Sequence, residues 1–154
     1  MKLRSILTST AVGELTLTTR PTLGPSDTVA AAADEMRKTS HGSAVVCSEG
    51  SLVGIFTERD LLPVLLSSGG IETPLADVMT SDPQTVTVAD SLLDAVRLMD
   101  QGGYRRLPVV DESGKPVGFI DTKTVVHFLV EHFPTAVYNQ ASHAQLIAKY
   151  REGA

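Results

Sequence analysis

The chain has 154 residues, 42% hydrophobic and 20% charged, the composition of a soluble globular protein long enough to bury a core. Its formal net charge of −5, without any block of like charges, lacks the basic stripe of a nucleic-acid binder and the basic amphipathic face of a peripheral membrane protein. Aromatics are scarce at 5%, no apolar run reaches the length of a membrane span, and the lone Cys47 cannot form an internal disulfide. Residues 1–7 lack the apolar run of a signal peptide, so a cytoplasmic protein that contacts neither membrane nor nucleic acid is expected.

In chain order, residues 12–15 form a short lead-in turn. A strand over 21–25 follows, then Asp27 as N-cap of a helix carrying Val29, Ala32, Ala33 and Met36 at helical spacing and ending near His41-Gly42. A hairpin comes next, with strands 44–47 and 52–56 around Ser48-Glu49-Gly50-Ser51, and then a helix over 58–68. After the linker Ser67-Ser68-Gly69-Gly70 and a second lead-in at 75–79, the pattern starts again. It runs through a strand over 84–88, Asp90 as cap, and a helix with Leu92, Leu93, Ala95, Val96 and Met99 that stops at Gly102-Gly103. A hairpin of 107–110 and 116–120 follows, then a helix over 122–132. Residues 134–154 carry a modest helical pattern in Leu146, Ile147 and Tyr150.

The order β-α-β-β-α therefore occurs twice. Asp27 and Asp90 lie 63 positions apart, Gly54 and Gly118 lie 64 apart, and the one-residue change falls between Met99 and Pro108. A repeat this long is a folding unit rather than a solenoid brick. The expectation is an α/β (α+β) chain of two pseudo-twofold-related repeats forming one compact module: residues 10–70, residues 71–133, and a partly helical tail over 134–154.

The chemistry-bearing motif is Gly54-Ile55-Phe56-Thr57-Glu58-Arg59-Asp60, where the first hairpin enters its helix. Thr57 with Asp60 three residues on fits a helix cap. The same geometry suits a ligand: a helix N-terminus with a hydroxyl accepts an anion, and a carboxylate one turn on accepts hydrogen bonds from a sugar diol. The second copy has Gly118-Phe119-Ile120-Asp121-Thr122-Lys123-Thr124, which keeps a cap in Asp121 but puts a negative charge where an anion would sit. Pro63 falls early in the helix after Asp60, so the helix is expected to begin later or to kink.

Other candidates carry less. His127 and His132 are five apart, off the i, i+4 spacing of zinc helices, and His41, His127, His132 and His143 read as solvated or capping residues. Cys47 reads as a partly buried thiol, and Asp34-Glu35 and Asp111-Glu112 as solvated pairs. No Gly-rich phosphate loop and no nucleophile–base set is present, so neither an enzyme, a metal site nor a required cofactor is expected.

The doubled pattern, with Gly-Ile-Phe-Thr-Glu-Arg-Asp in one copy and Tyr-Arg-Arg-Leu-Pro-Val-Val-Asp in the other, strongly resembles a tandem pair of CBS domains (a Bateman module) over about residues 10–133. The resemblance implies a regulatory module that binds AMP, ADP, ATP or S-adenosylmethionine in a composite cleft. Carried over to this chain, Thr57, Arg59 and Asp60 of one copy would face Gln84, Thr85 and Val86 and Tyr104, Arg105, Arg106 and Pro108 of the other, with the arginines serving a phosphate. The second cleft would join Asp121 and Thr124 to Thr22, Leu23, His41, Gly42 and Ser43, without a matching arginine pair, and is expected to stay empty or to take a different ligand. The resemblance also implies a homodimer and, with no output domain on this chain, a separate effector protein. The competing reading is a ligand-independent dimerisation or protein-interaction module in which Thr57 and Asp60 only cap a helix.

Overall fold

The computed structural model describes residues 2–132; the tail expected over 134–154, with His143, lies outside them. Among the described residues, those up to Ile120 pack as one unit and those from Asp121 to His132 belong to another.

Two sheets organise the first unit, giving the mixed α/β class expected. One has the order β1 (Thr22–Leu23), β2 (Ser43–Ser48), β3 (Ser51–Thr57), β4 (Thr80–Ser81); the other has β5 (Val86–Thr87), β6 (Arg106–Val110), β7 (Pro116–Asp121). β1 runs parallel to β2, β5 runs parallel to β6, and β2–β3 is an antiparallel hairpin. Helix α2 (Val29–Thr39) fills the crossover from β1 to β2, and α4 (Leu92–Gly102) the one from β5 to β6. Their inward faces, Val29/Ala32/Met36 and Leu92/Ala95/Met99, occupy matching positions in the two copies, and all six side chains are buried. β1 and β5 are only two residues long, shorter than the pattern suggested.

The caps sit one residue beyond the aspartates. Thr28 accepts from the Ala31 N–H (3.2 Å) and Ser91 from the Asp94 N–H (3.1 Å). Asp27 and Asp90 instead turn back on the strand, accepting from the N–H groups of Gly24 (2.7 Å) and Thr87 (2.8 Å). Each Asp thus closes the strand-to-helix turn while the adjacent hydroxyl caps the helix. Helix α2 ends on Ser40 with φ +57°, and α4 on Gly103 with φ +67°. A helix that the sequence did not suggest, α1 (Lys2–Ser9), lies against α4.

The two lead-ins are exchanged. Val12 donates its N–H to Asp90 O (2.8 Å), Gly13 to Val88 O (3.0 Å), and Thr18 and Phe119 bond each other's backbones at 3.1 and 2.7 Å. The segment before the first copy therefore builds the second. Reciprocally, Leu75 donates to Asp27 O (2.8 Å) and Ala76 to Pro25 O (3.0 Å), and β4 extends the first sheet by pairing with β3. Leu75 is fully buried in the core formed by Leu23, Val29, Val46, Phe56 and Val64. The paired glycines lie where these segments cross: a side chain on Gly54 would fall on the Met79 thioether, and one on Gly118 would meet Leu17 Cβ at 2.8 Å and Thr18 O at 3.0 Å.

Candidate functional site

A cavity of about 750 Å³ lies within the first unit, with walls from both copies. From the first copy come the end of β3 and the start of α3 (Glu58–Leu65): Ile55, Thr57, Glu58, Arg59 and Asp60, with Gly42 beside them. From the second come Gly103, Tyr104, Arg105, Arg106, Leu107 and Pro108 at the entry to β6. The linking segment adds Thr80, Asp82, Pro83 and Gln84.

Helix α3 begins where Thr57 and Asp60 predict, with Thr57 as N-cap. The expected shift of its start does not occur. Pro63 sits inside the helix, where it offers no N–H to the Arg59 carbonyl, and the helix closes at Leu65, short of the expected 68. Asp60 Oδ2 accepts from the Thr57 N–H (3.0 Å) and the Thr57 hydroxyl (3.2 Å), leaving Oδ1 without a hydrogen bond among the described residues.

Tyr104 follows two glycines with separate reasons to be there. Gly103 takes the left-handed conformation that ends α4, and the Tyr104 ring lies where a side chain on Gly102 would be. Arg106 crosses between copies, donating from a guanidinium nitrogen to the hydroxyl of buried Ser43 at 3.3 Å. The cavity thus carries three carboxylates (Glu58, Asp60, Asp82) and three guanidinium groups (Arg59, Arg105, Arg106). It can hold a ligand with hydrogen-bonding hydroxyls and an anionic group.

Of the residues expected to bind, the structure places Thr57, Arg59, Asp60, Gln84, Tyr104, Arg105, Arg106 and Pro108 on this cavity. Thr85 and Val86 do not line it; Val86 is buried in β5, paired with Val109. Sequence reasoning missed Glu58, Thr80 and Asp82, and assigned Gly42 to the second cleft rather than to this cavity. Thr80 and Asp82 belong to the exchanged lead-in, whose partner no local pattern announces, whereas Glu58 was legible as the first residue of the capped turn. His41 also departs from a solvated reading: its Nδ1 is buried without a hydrogen-bond partner among the described residues. Burial, with the charges of Arg20 and Arg106, holds its ring below the ordinary histidine pKa. No cluster of metal-ligating side chains occurs, and no helix is long and apolar enough to cross a membrane, among the described residues.

The family model for the CBS domain matches the chain twice, over residues 12–67 and 75–131. The chain belongs to the CBS domain family. It is a tandem CBS pair, 33% identical over 124 residues to an uncharacterized 17.7 kDa protein of Acidianus ambivalens, covering 80% of this chain and 75% of that one. It is 34% identical over 110 residues to the CBS domain-containing protein CBSCBSPB1 of Arabidopsis thaliana, covering 70% of this chain but only 20% of that protein's length. Among solved structures, CBSX2 in complex with AMP superposes with a TM-score of 0.71 at 28% identity, over 80% of this CBS pair and 98% of that chain. The cytosolic domain of the Mg2+ channel MgtE in complex with ATP shares the fold at 24% identity and a TM-score of 0.68, over 81% of this chain and 52% of that one.

Proposed function

We propose that this CBS pair is a regulatory module that takes an adenosine-containing ligand (AMP, ADP, ATP or S-adenosylmethionine) in the Thr57–Arg106 cavity and acts on a separate effector protein. One observation carries the reading: the carboxylate turn of one copy and the arginine turn of the other line the same cavity. Its volume lies within the range of about 300–1,000 Å³ usual for small-molecule sites. Asp60 Oδ1 and the Thr57 oxygen lone pairs suit ribose hydroxyls as acceptors, and Arg105 and Arg106 suit a phosphate, as guanidinium forks do. The AMP complex of CBSX2, 28% identical, supports the same ligand class. The matching domain division is residues 10–70 and 71–133.

The module is further proposed to pair as a homodimer. Leu62, Leu65, Leu66 and Ile71 on and just after α3 are exposed, Leu66 at 91%, and are proposed as the apolar patch that a second copy would cover. The same patch favours the rival reading of a ligand-independent dimerisation module, because the Asp60 hydrogen bonds on their own account for a helix cap.

Calorimetry with AMP, ATP and S-adenosylmethionine separates the two. Asp60→Asn keeps one oxygen to accept from Thr57 but loses the charge and the second acceptor, so it should fold nearly as well as wild type and bind about 10–100-fold more weakly, the loss of a charged hydrogen bond. Asp60→Ala should lose both cap and affinity. Failure of all three ligands to bind wild type better than Asp60→Ala sinks the ligand reading and leaves the dimerisation module.

A further inference from the structure

The geometry points to His41 as a proton-linked partner of the cavity: an anionic ligand group seated against Arg106 draws a proton onto the His41 ring and so couples nucleotide binding to pH. The inference rests on the adenine-nucleotide reading of the cavity and adds a regulation to it.

His41 comes directly after the left-handed Ser40 that ends α2, with its N–H bonded to Met36 O at 2.9 Å. Its ring lines a second cavity of about 430 Å³. Gly42 and Glu58 line both cavities, so the two share a wall. Two residues past His41, the buried Ser43 hydroxyl accepts from the Arg106 guanidinium, which itself lines the ligand cavity. Arg106 therefore lines the ligand cavity and, through Ser43, holds the strand that begins two residues past His41.

Charges near the ring come from several elements. Arg106 reaches it from β6, and Arg20 from the segment before β1, where its guanidinium lies 5.5 Å over the Phe119 ring. Arg37 of α2, paired with Asp34 at 2.8 Å, and Glu58 of α3 share the second cavity with it. Folding thus supplies arginines that the sequence around His41 does not show. In the free protein burial and two guanidiniums disfavour the protonated ring, and Nδ1 has no hydrogen-bond partner among the described residues. A phosphate against Arg106 offsets one of those charges, and the imidazolium becomes less costly.

The sign follows. The His41 pKa is higher with nucleotide bound than without, so binding takes up a proton between the two values. Affinity is level below the free-state pKa, falls with rising pH through that window by at most about tenfold per pH unit, and levels again above it.

The test is calorimetry of AMP near pH 6 in buffers of different ionisation enthalpy, on wild type and on His41→Gln, with adenosine as the phosphate-free control. Wild type should take up more protons per AMP than His41→Gln, and adenosine should show no such difference. The phosphate's own ionisation is common to both proteins and cancels. If AMP binds both with equal proton counts, the coupling is wrong while the cavity reading stands; if AMP binds neither, the coupling falls and the cavity reading is decided by ATP and S-adenosylmethionine. Should His41→Gln not fold, the ring titration followed by NMR in wild type decides: the His41 pKa must rise on adding AMP, and an unchanged pKa overturns the coupling.

Discussion

Gly118→Ala tests the exchange of lead-ins most directly. Gly118 has φ +154°, which an L side chain rarely adopts. A new Cβ would also stand 2.8 Å from Leu17 Cβ and 3.0 Å from the Thr18 carbonyl, the residue whose backbone is bonded twice to Phe119. Backbone strain of this kind costs about 1–3 kcal/mol, and overpacking against groups that cannot swing away costs about as much again. We expect Gly118→Ala to destabilise by about 3 kcal/mol, or roughly 10 °C in Tm for a chain of this size. At the matching Gly54 no positive φ arises and the obstacle is the flexible Met79 side chain. Gly54→Ala should cost about 1 kcal/mol, because a methionine can re-pack. Thermal and urea melts followed by circular dichroism measure both. Met79→Ala should rescue the packing lost in Gly54→Ala, whereas Leu17→Ala should leave most of the Gly118→Ala loss, since the Thr18 carbonyl remains. Equal losses at the two glycines, or a Gly118→Ala protein that melts like wild type, would refute the exchange as a structural constraint.

The same topology predicts how the chain can be cut. A fragment of residues 19–82, which keeps β4 and Leu75 with the first sheet, should melt cooperatively by circular dichroism, and residues 10–70, which lack them, should not. Deleting residues 2–18 should expose the second copy instead, lowering Tm and raising dye binding to apolar surface. Asp111, whose Oδ1 accepts from the Ser113 N–H, the Ser113 hydroxyl and the Lys115 N–H, is held below the ordinary aspartate range by those bonds. Its contribution to stability should be present above about pH 4 and vanish as pH falls through the lowered folded-state value, so urea stabilities of wild type and Asp111→Ala should converge in acid. Leu66→Asp should shift light scattering from a dimer to a monomer mass without lowering the fraction folded.

What the sequence disclosed was whatever two copies repeat in place. Val29/Ala32/Met36 and Leu92/Ala95/Met99 fixed both crossover helices because a buried stripe must recur at helical spacing. The caps were misplaced by one residue because Asp27-Thr28 and Asp90-Ser91 each offer two good capping groups in succession. The choice between them depends on which backbone N–H the turn leaves open, here those of Gly24 and Thr87. The lead-ins were seen as turns, but their partners were not, because a 3₁₀ turn carries no signal for the copy it packs against. That is why Thr80 and Asp82 went unnoticed on the cavity wall while Thr57, Asp60, Arg105 and Arg106, all within motifs, were found. Thr85 and Val86, adjacent in sequence to Gln84, were expected on the same wall, but of the three only Gln84 lines it.

The two helix-starting turns show how duplication separates fold from chemistry. In the first, a hydroxyl residue stands at the cap and the carboxylate one turn in, where Asp60 accepts from Thr57 N–H and Oγ. In the second the residue types are reversed: Asp121 stands at the cap and accepts from Thr124 N–H and Oγ at 2.8 and 2.9 Å. Both arrangements close a helix start, so the fold tolerates either order. They differ in where the charge lies. A carboxylate at the cap stands where an anion would sit and repels it, whereas the first copy puts a neutral hydroxyl there and carries its carboxylates, Glu58 and Asp60, within the first turn. On the proposed reading, exchanging two side chains across one helical turn moves the charge that an anionic ligand would meet.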